Sequence, residues 1–201
     1  MPMAMKLHDL DVSGNCYKVR LLCALLDVPV ELVAVDFMAG AHKRSPLIDL
    51  NAFAQIPILE DEGLVLRDSQ AILVYIARKC GGEAWLPIDP ASMAQVMEWL
   101  MVAENEIARG PGAARLHDKF GYKLDIVEAR EKAKHILSIM DTHLATREWL
   151  VLDRPTIADV ACMPYVAVGW EGGLSLEPYP AVSAWVERIK KLPGFIPMPG
   201  I

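Results

Sequence analysis

Hydrophobic and polar positions repeat with different periods in the two parts of the chain. Over roughly the first eighty residues, short apolar runs bounded by turn residues separate helical stretches. Met5 to Leu10 reads as a strand and Ser13-Gly14-Asn15 as a turn. Cys16 to Leu26 then reads as a helix with Val19, Leu22, Cys23 and Leu26 on one face. Val28-Pro29 breaks that helix, and Val30 to Val35 makes a second strand. Residues 39 to 55 are irregular, rich in Gly, Ser, Pro and Asn. Ile56 to Leu59 and Leu64 to Leu66, joined by Glu60-Asp61-Glu62-Gly63, predict a hairpin. Asp68-Ser69 then opens a helix whose apolar face is Ile72, Leu73, Ile76 and Ala77. The order is βαβ followed by ββα.

From Gly81 to Pro90 the chain is turn-rich, which divides it into residues 1–80, a linker over 81–90, and residues 91–201. Everything after the linker has a helical period. Helices are expected over Ala91 to Arg109, Ile126 to Thr146, from Pro155 onward, and over Pro180 to Leu192, with a loop from Gly110 to Gly121. In the first of these, Met93, Val96, Met97, Leu100 and Met101 form one stripe. Trp99, Val102 and Ala103 widen it beyond the ~100° face of an ordinary surface helix. Such a helix is either central to a core or faces a core on one side and a second subunit on the other.

Composition narrows the function classes. The 201 residues are 53% hydrophobic with a formal net charge of −6, more apolar than an average soluble domain. That excludes disorder, and an acidic chain has little counterion release to gain from nucleic acid. No apolar run approaches the ~20 residues of a membrane span, since Val160 to Trp170 is short and contains Pro164. No signal peptide is visible, and the four cysteines have no framework spacing, so reduced thiols and a cytoplasmic location are expected. The five histidines form no H-x-x-x-H pair, and no metal is expected.

Three short segments carry candidate chemistry. Ser13-Gly14-Asn15-Cys16 places a hydroxyl at a helix N-terminus, where it serves either as a turn residue or as a donor to an anion. Pro57 cannot donate to a sheet ladder, so Ile56-Pro57 belongs at a strand start or edge. Asp68-Ser69 is either a plain helix cap or a holder for an α-amino acid head group, the carboxylate taking the ammonium and the hydroxyl and N–H groups the carboxylate.

The order of these segments along the whole chain resembles the glutathione S-transferase family, in its bacterial and theta-like serine-type members. The stretches carrying the resemblance are NAFAQIPILEDEGLVLRDSQAILVYIARK (Asn51–Lys79) and SGNCYKVRLL (Ser13–Leu22). Pro155-Thr156-Ile157-Ala158-Asp159 resembles that family's folding box, read here as a structural capping box with Asp in place of Glu. The resemblance implies a thioredoxin-like α/β N-terminal domain, an all-α helical bundle, and a homodimer formed through the helix over 91–109. It implies glutathione as co-substrate and an enzyme that attaches its thiolate to apolar electrophiles. Ile56 and Pro57 would then meet the cysteinyl part, Asp68 and Ser69 the γ-glutamyl end, and His42 and Lys43 the glycyl carboxylate. Ser13 is the candidate donor to the thiolate, with Asn15 and Cys16 as alternatives. The electrophile would lie between the domains near Val12, the helix from Ala91 and the segment from Gly110 to Gly121. Arg109, Arg115 and His117 there either assist a leaving group or are solvated surface charges. Glutathione-dependent disulfide or peroxide reduction, and a non-catalytic binding role on the same fold, are the competing functions.

Overall fold

The computed structural model describes residues 5–201. Strands β1 (Met5–Asp9), β2 (Val30–Ala34), β3 (Ile58–Asp61) and β4 (Leu64–Arg67) form one sheet in the order β2-β1-β3-β4. β1 runs parallel to β2, with Leu7 opposite Leu32, and antiparallel to β3, with Leu7 opposite Leu59. A parallel pair requires a crossover, supplied by α1 (Gly14–Leu25). The short α2 (Leu47–Leu50) lies in the irregular segment, and α3 (Ser69–Ile76) follows the hairpin. This mixed sheet with its helices is a thioredoxin-like arrangement. After a small α4 (Gly82–Trp85), the remainder is helical: α5 (Pro90–Val102), α6 (Ala113–Phe120), α7 (Ile126–Leu144), α8 (Ile157–Ala167) and α9 (Pro180–Lys190).

Several boundaries differ from the sequence reading, each for a physical reason. β3 begins at Ile58 rather than Ile56, because Pro57 has no N–H to give the ladder. The Ile56-Pro57 bond just before it is cis. Gly14 and Asn15 belong to α1 rather than to a turn, since the Ser13 hydroxyl caps the helix by accepting from the Cys16 N–H at 3.3 Å. The expected linker contains α4 rather than turns alone.

The largest difference is at Gly110 to Gly121, which is helix and not loop. Wide π-type turns over Ala103–Gly112 carry α5 directly into α6. Pro111 sits inside these turns, where the looser ladder accommodates a residue lacking its N–H. The glycines there serve close packing. A Cβ on Gly110 would lie 2.8 Å from the Ala133 backbone nitrogen on α7. Only Gly121, with φ of 71°, acts as a helix terminator.

One hydrophobic core runs through both halves, from Leu7, Leu22 and Ile72 to Leu100, Met163 and Trp185. The capping box at α8 reaches across it. One Asp159 oxygen accepts from the Thr156 N–H at 2.9 Å; the other accepts from the Leu150 N–H at 3.1 Å and the Trp185 indole at 2.9 Å.

Tyr165 of α8 lies directly on α1. A Cβ on Gly14 would be 2.7 Å from Cε1 and Cζ of that ring, closer than packed carbons tolerate. Gly14→Ala is therefore expected to destabilise the chain by about 1–3 kcal/mol in denaturant unfolding. In a Tyr165→Ala background the same change should cost nothing, because the clash is gone and Ala is the better helix former. An equal cost in both backgrounds would contradict this account of the seam.

Candidate active site

Between the sheet half and the helical half lies a cleft of about 590 Å³. Ser13, Asn15, His42, Lys43, Ile56, Pro57, Asp68 and Ser69 all line it; Cys16 does not. Its other wall comes from the helical half and includes Glu104, Arg115, Leu116, Phe120 and Tyr165.

At the N-terminus of α1 the Ser13 hydroxyl oxygen is occupied as an acceptor, which leaves its own O–H to donate outward. Cys16, one turn in, packs with Val35, Leu47, Ile56 and Ile58 beneath the cleft. Burial pushes its thiol up to about 12, against the lowering effect of Ser13. A raised thiol pKa leaves little thiolate near neutrality to act as nucleophile or redox partner. The Tyr165 hydroxyl faces the Asn15 N–H at the same helix end, and burial raises it to about 12, so it stays a neutral phenol.

At the start of α3, Asp68 has φ of 73°, an unusual conformation for a residue with a side chain. Both cap bonds, from the Gln70 and Ala71 N–H groups at 3.0 Å, go to one carboxylate oxygen. The second oxygen makes no hydrogen bond among the described residues, so capping leaves it available. Ser69 donates to the Gln70 side-chain oxygen at 3.1 Å, and the Gln70 amide donates to Glu104 at 2.9 Å. That bond ties the α3 N-terminus to the helical half and brings a second carboxylate beside Asp68.

On the opposite side, His42 stacks on Phe37 with ring centroids 3.7 Å apart. Burial first, and the Lys43 charge second, lower its pKa, so the imidazole is neutral near pH 7. Lys43 supplies the positive charge at this end. Among the described residues, no group of three or more His, Cys, Asp or Glu side chains is placed to hold a metal ion.

The chain matches the glutathione S-transferase N-terminal domain over residues 3–78 and the C-terminal domain over 92–193. The chain belongs to the glutathione S-transferase family. A glutathione S-transferase from Hyoscyamus muticus is 32% identical over 206 residues, covering 96% of each chain. The crystal structure of one from Pseudomonas fluorescens superposes with a TM-score of 0.92 at 30% identity, covering 98% of this chain and 99% of that one. A delta-class glutathione transferase from Nilaparvata lugens gives 0.86 at 26% identity, covering 94% of this chain and 90% of that one. Plant, bacterial and insect relatives thus stand at similar distances, which leaves the subclass open. The chain is a glutathione S-transferase enzyme, conjugating glutathione to electrophiles.

Of the three charged residues expected near the electrophile, the cleft takes in only Arg115. Arg109 lines a separate shallow hollow beside α7, and His117 bonds the neighbouring Asp118 at 2.8 Å. Tyr165 and Glu104 are among the cleft residues that escaped the sequence reading. Tyr165 lies in an apolar run that reads as core, and nothing local places it on α1. Glu104 reads as one solvated charge among several, and only its bond to Gln70 distinguishes it.

Beneath the cleft, Lys18 is wholly buried and its ammonium has no hydrogen-bond partner among the described residues, lying 5.5 Å from the Tyr165 ring centroid. Burial lowers its pKa to about 8; Glu104, Cys162 and Asp68 pull the other way. A base whose folded pKa lies below its unfolded value of ~10.4 costs stability when charged, and the cost fades as pH rises from 8 toward 10.5. Wild type is therefore expected to gain about 3 kcal/mol relative to Lys18→Met over that interval in urea unfolding. A pH-independent difference would contradict the burial of a charged amine there.

Proposed function

We propose that this transferase is a serine-type, cytoplasmic member of the family in which the Ser13 hydroxyl donates to the glutathione thiolate. The observation that carries this reading is the Ser13 oxygen accepting from the Cys16 N–H while facing the cleft. The backbone donor polarises the hydroxyl, which in turn meets the sulfur. A free thiol near pKa ~8.5 is a few per cent ionised at pH 7. Lowering it by two units takes ~2.7 kcal/mol. A charge-assisted hydrogen bond contributes roughly 1.5–3 kcal/mol and a helix N-terminus roughly 0.3–1 kcal/mol. The two together reach the requirement. The thiol proton passes to solvent, the sulfur forms a bond to the electrophilic carbon, and the leaving group departs with its electron pair.

In this reading glutathione lies along the cleft in one direction. Its γ-glutamyl ammonium meets the Asp68 oxygen left over from capping, and Glu104. Its γ-glutamyl carboxylate meets Ser69 and the α3 N-terminus, and its cysteinyl backbone runs past Ile56-Pro57. Its glycyl carboxylate meets Lys43, with neutral His42 as a hydrogen-bonding neighbour. The buried Cys16, with its raised pKa, weighs against thiol–disulfide exchange through that residue.

Ser13→Ala is expected to lower kcat/KM with a chloronitrobenzene acceptor about 50-fold at pH 6.5, with the loss nearly gone by pH 9. A two-unit rise in the bound thiol's pKa produces that pattern. An unchanged pH–rate profile in Ser13→Ala, with activity abolished in Asn15→Ala, would transfer the role to Asn15. Calorimetry showing no glutathione binding at millimolar concentration would remove the reading altogether.

A homodimer through α5 is part of the same proposal. Met97 and Met101, one turn apart on its outer face, are 39% and 53% exposed while Val96 and Leu100 are buried. Contiguous apolar surface of this kind marks association sites. Paired Met97→Glu and Met101→Glu substitutions should convert a dimer to monomer in analytical ultracentrifugation at micromolar concentration; a monomeric wild type would refute it.

A further inference from the structure

The helical wall of the cleft holds a charged group with fewer partners than it can use. Arg115 lies near the start of α6 and is 2% exposed. Its Nε donates to Glu171, its Nη1 donates to the Val12 carbonyl at 2.8 Å, and its Nη2 has no hydrogen-bond partner among the described residues. The guanidinium is held firmly in place. Gly172 packs so tightly on this turn that a Cβ there would be 2.7 Å from the Arg115 backbone nitrogen, and the guanidinium carbon lies 5.1 Å from the Phe120 ring centroid. Glu171 also accepts from Lys119, so one carboxylate is shared by two cations and the group carries net charge +1. A buried cationic N–H without an acceptor is costly, and native structures leave few of them.

Position adds a second constraint. Val12, tied to Arg115, precedes Ser13, so this group borders the point where the thiolate is expected. The γ-glutamyl end is occupied by the carboxylates Asp68 and Glu104, and the glycyl end by Lys43. Arg115 belongs to neither end and is flanked by Leu116, Phe120 and Tyr122, which also line the cleft.

We infer that the second substrate is an aromatic electrophile bearing a carboxylate, which Arg115 receives through Nη2 while Leu116, Phe120 and Tyr122 cover its apolar body. This rests on the conjugation reading above. The carboxylate takes no part in bond making; it orients the electrophilic carbon toward the sulfur. Arg115 is thereby a specificity-determining residue.

The test uses product-like ligands on the full chain: glutathione, S-benzylglutathione, and its 3- and 4-carboxybenzyl counterparts, by calorimetry. At least one carboxylated conjugate should bind wild type about tenfold or more tighter than S-benzylglutathione, the scale of one charge-assisted hydrogen bond. In Arg115→Met that ratio should fall to about one or below, and Arg115→Lys should restore part of it. If both carboxylated conjugates bind no tighter than S-benzylglutathione, or if the preference survives in Arg115→Met, the inference is overturned while the transferase reading stands. If glutathione itself fails to bind, the transferase reading falls instead. Because Arg115 also braces Val12 and Glu171, its variants risk misfolding; a wild-type ratio near one overturns the inference without them, and Arg115→Lys, which keeps a cation in place, carries the comparison if Arg115→Met does not fold.

Discussion

The arrangement depends on a missing side chain. Gly14 has no Cβ, so the Tyr165 ring rests against the first turn of α1 and the two halves of the chain meet at the helix end that also carries Ser13. Hydrophobic burial holds the halves together along a shared core, but it is non-directional. The ring-on-glycine contact fixes where α8 sits relative to the α1 N-terminus. The Gln70–Glu104 bond does the same for the α3 N-terminus. Two helix ends, both capped by residues that also line the cleft, are thus registered against a wall belonging to the other half.

Charge inside the cleft is arranged more tightly than the chain's acidic balance suggests. Asp68 uses one oxygen for its cap, and Glu104 lines the same cleft, so two carboxylates share this end. Lys43 marks the far end, and its charge helps keep the adjacent His42 neutral. In the proposed binding mode, a peptide with an ammonium at one terminus and a carboxylate at the other fits in one direction and is repelled in the reverse. Net charge carries no trace of this, because the polarity comes from a handful of groups whose positions the fold sets.

What could be read in the sequence was whatever depends on nearby residues. The strand and helix periods, the caps at Asp68 and Thr156, and the hairpin at Glu60 to Gly63 are all local and all legible. What escaped depends on residues distant in the chain. Gly110 and Gly112 read as loop because glycine is usually a chain breaker, whereas Gly110 lets α7 approach. Cys16 reads as an alternative to Ser13 from its place at a helix start, yet its side chain is buried in the small cluster with Val35, Leu47, Ile56 and Ile58. Tyr165 sits in an apolar run, and no local pattern distinguishes a cleft-facing phenol from a core one.

The same long-range packing accounts for where the chain breaks ordinary folding rules. Among the described residues, four buried side chains have a polar atom without a partner. Two of them, His42 and Arg115, line the cleft, and a third, Lys18, lies beneath it against Tyr165. Asp68, with its positive φ, stands at the same place. In a core built for stability alone these groups would have been satisfied or replaced by apolar ones. Their concentration around one cleft means that the structure accepts a local cost there, and unpaired donors around an open volume are what a polar ligand needs to find. Stability elsewhere, above all in the capping box that ties α8 to Leu150 and Trp185, is what allows the chain to carry that cost.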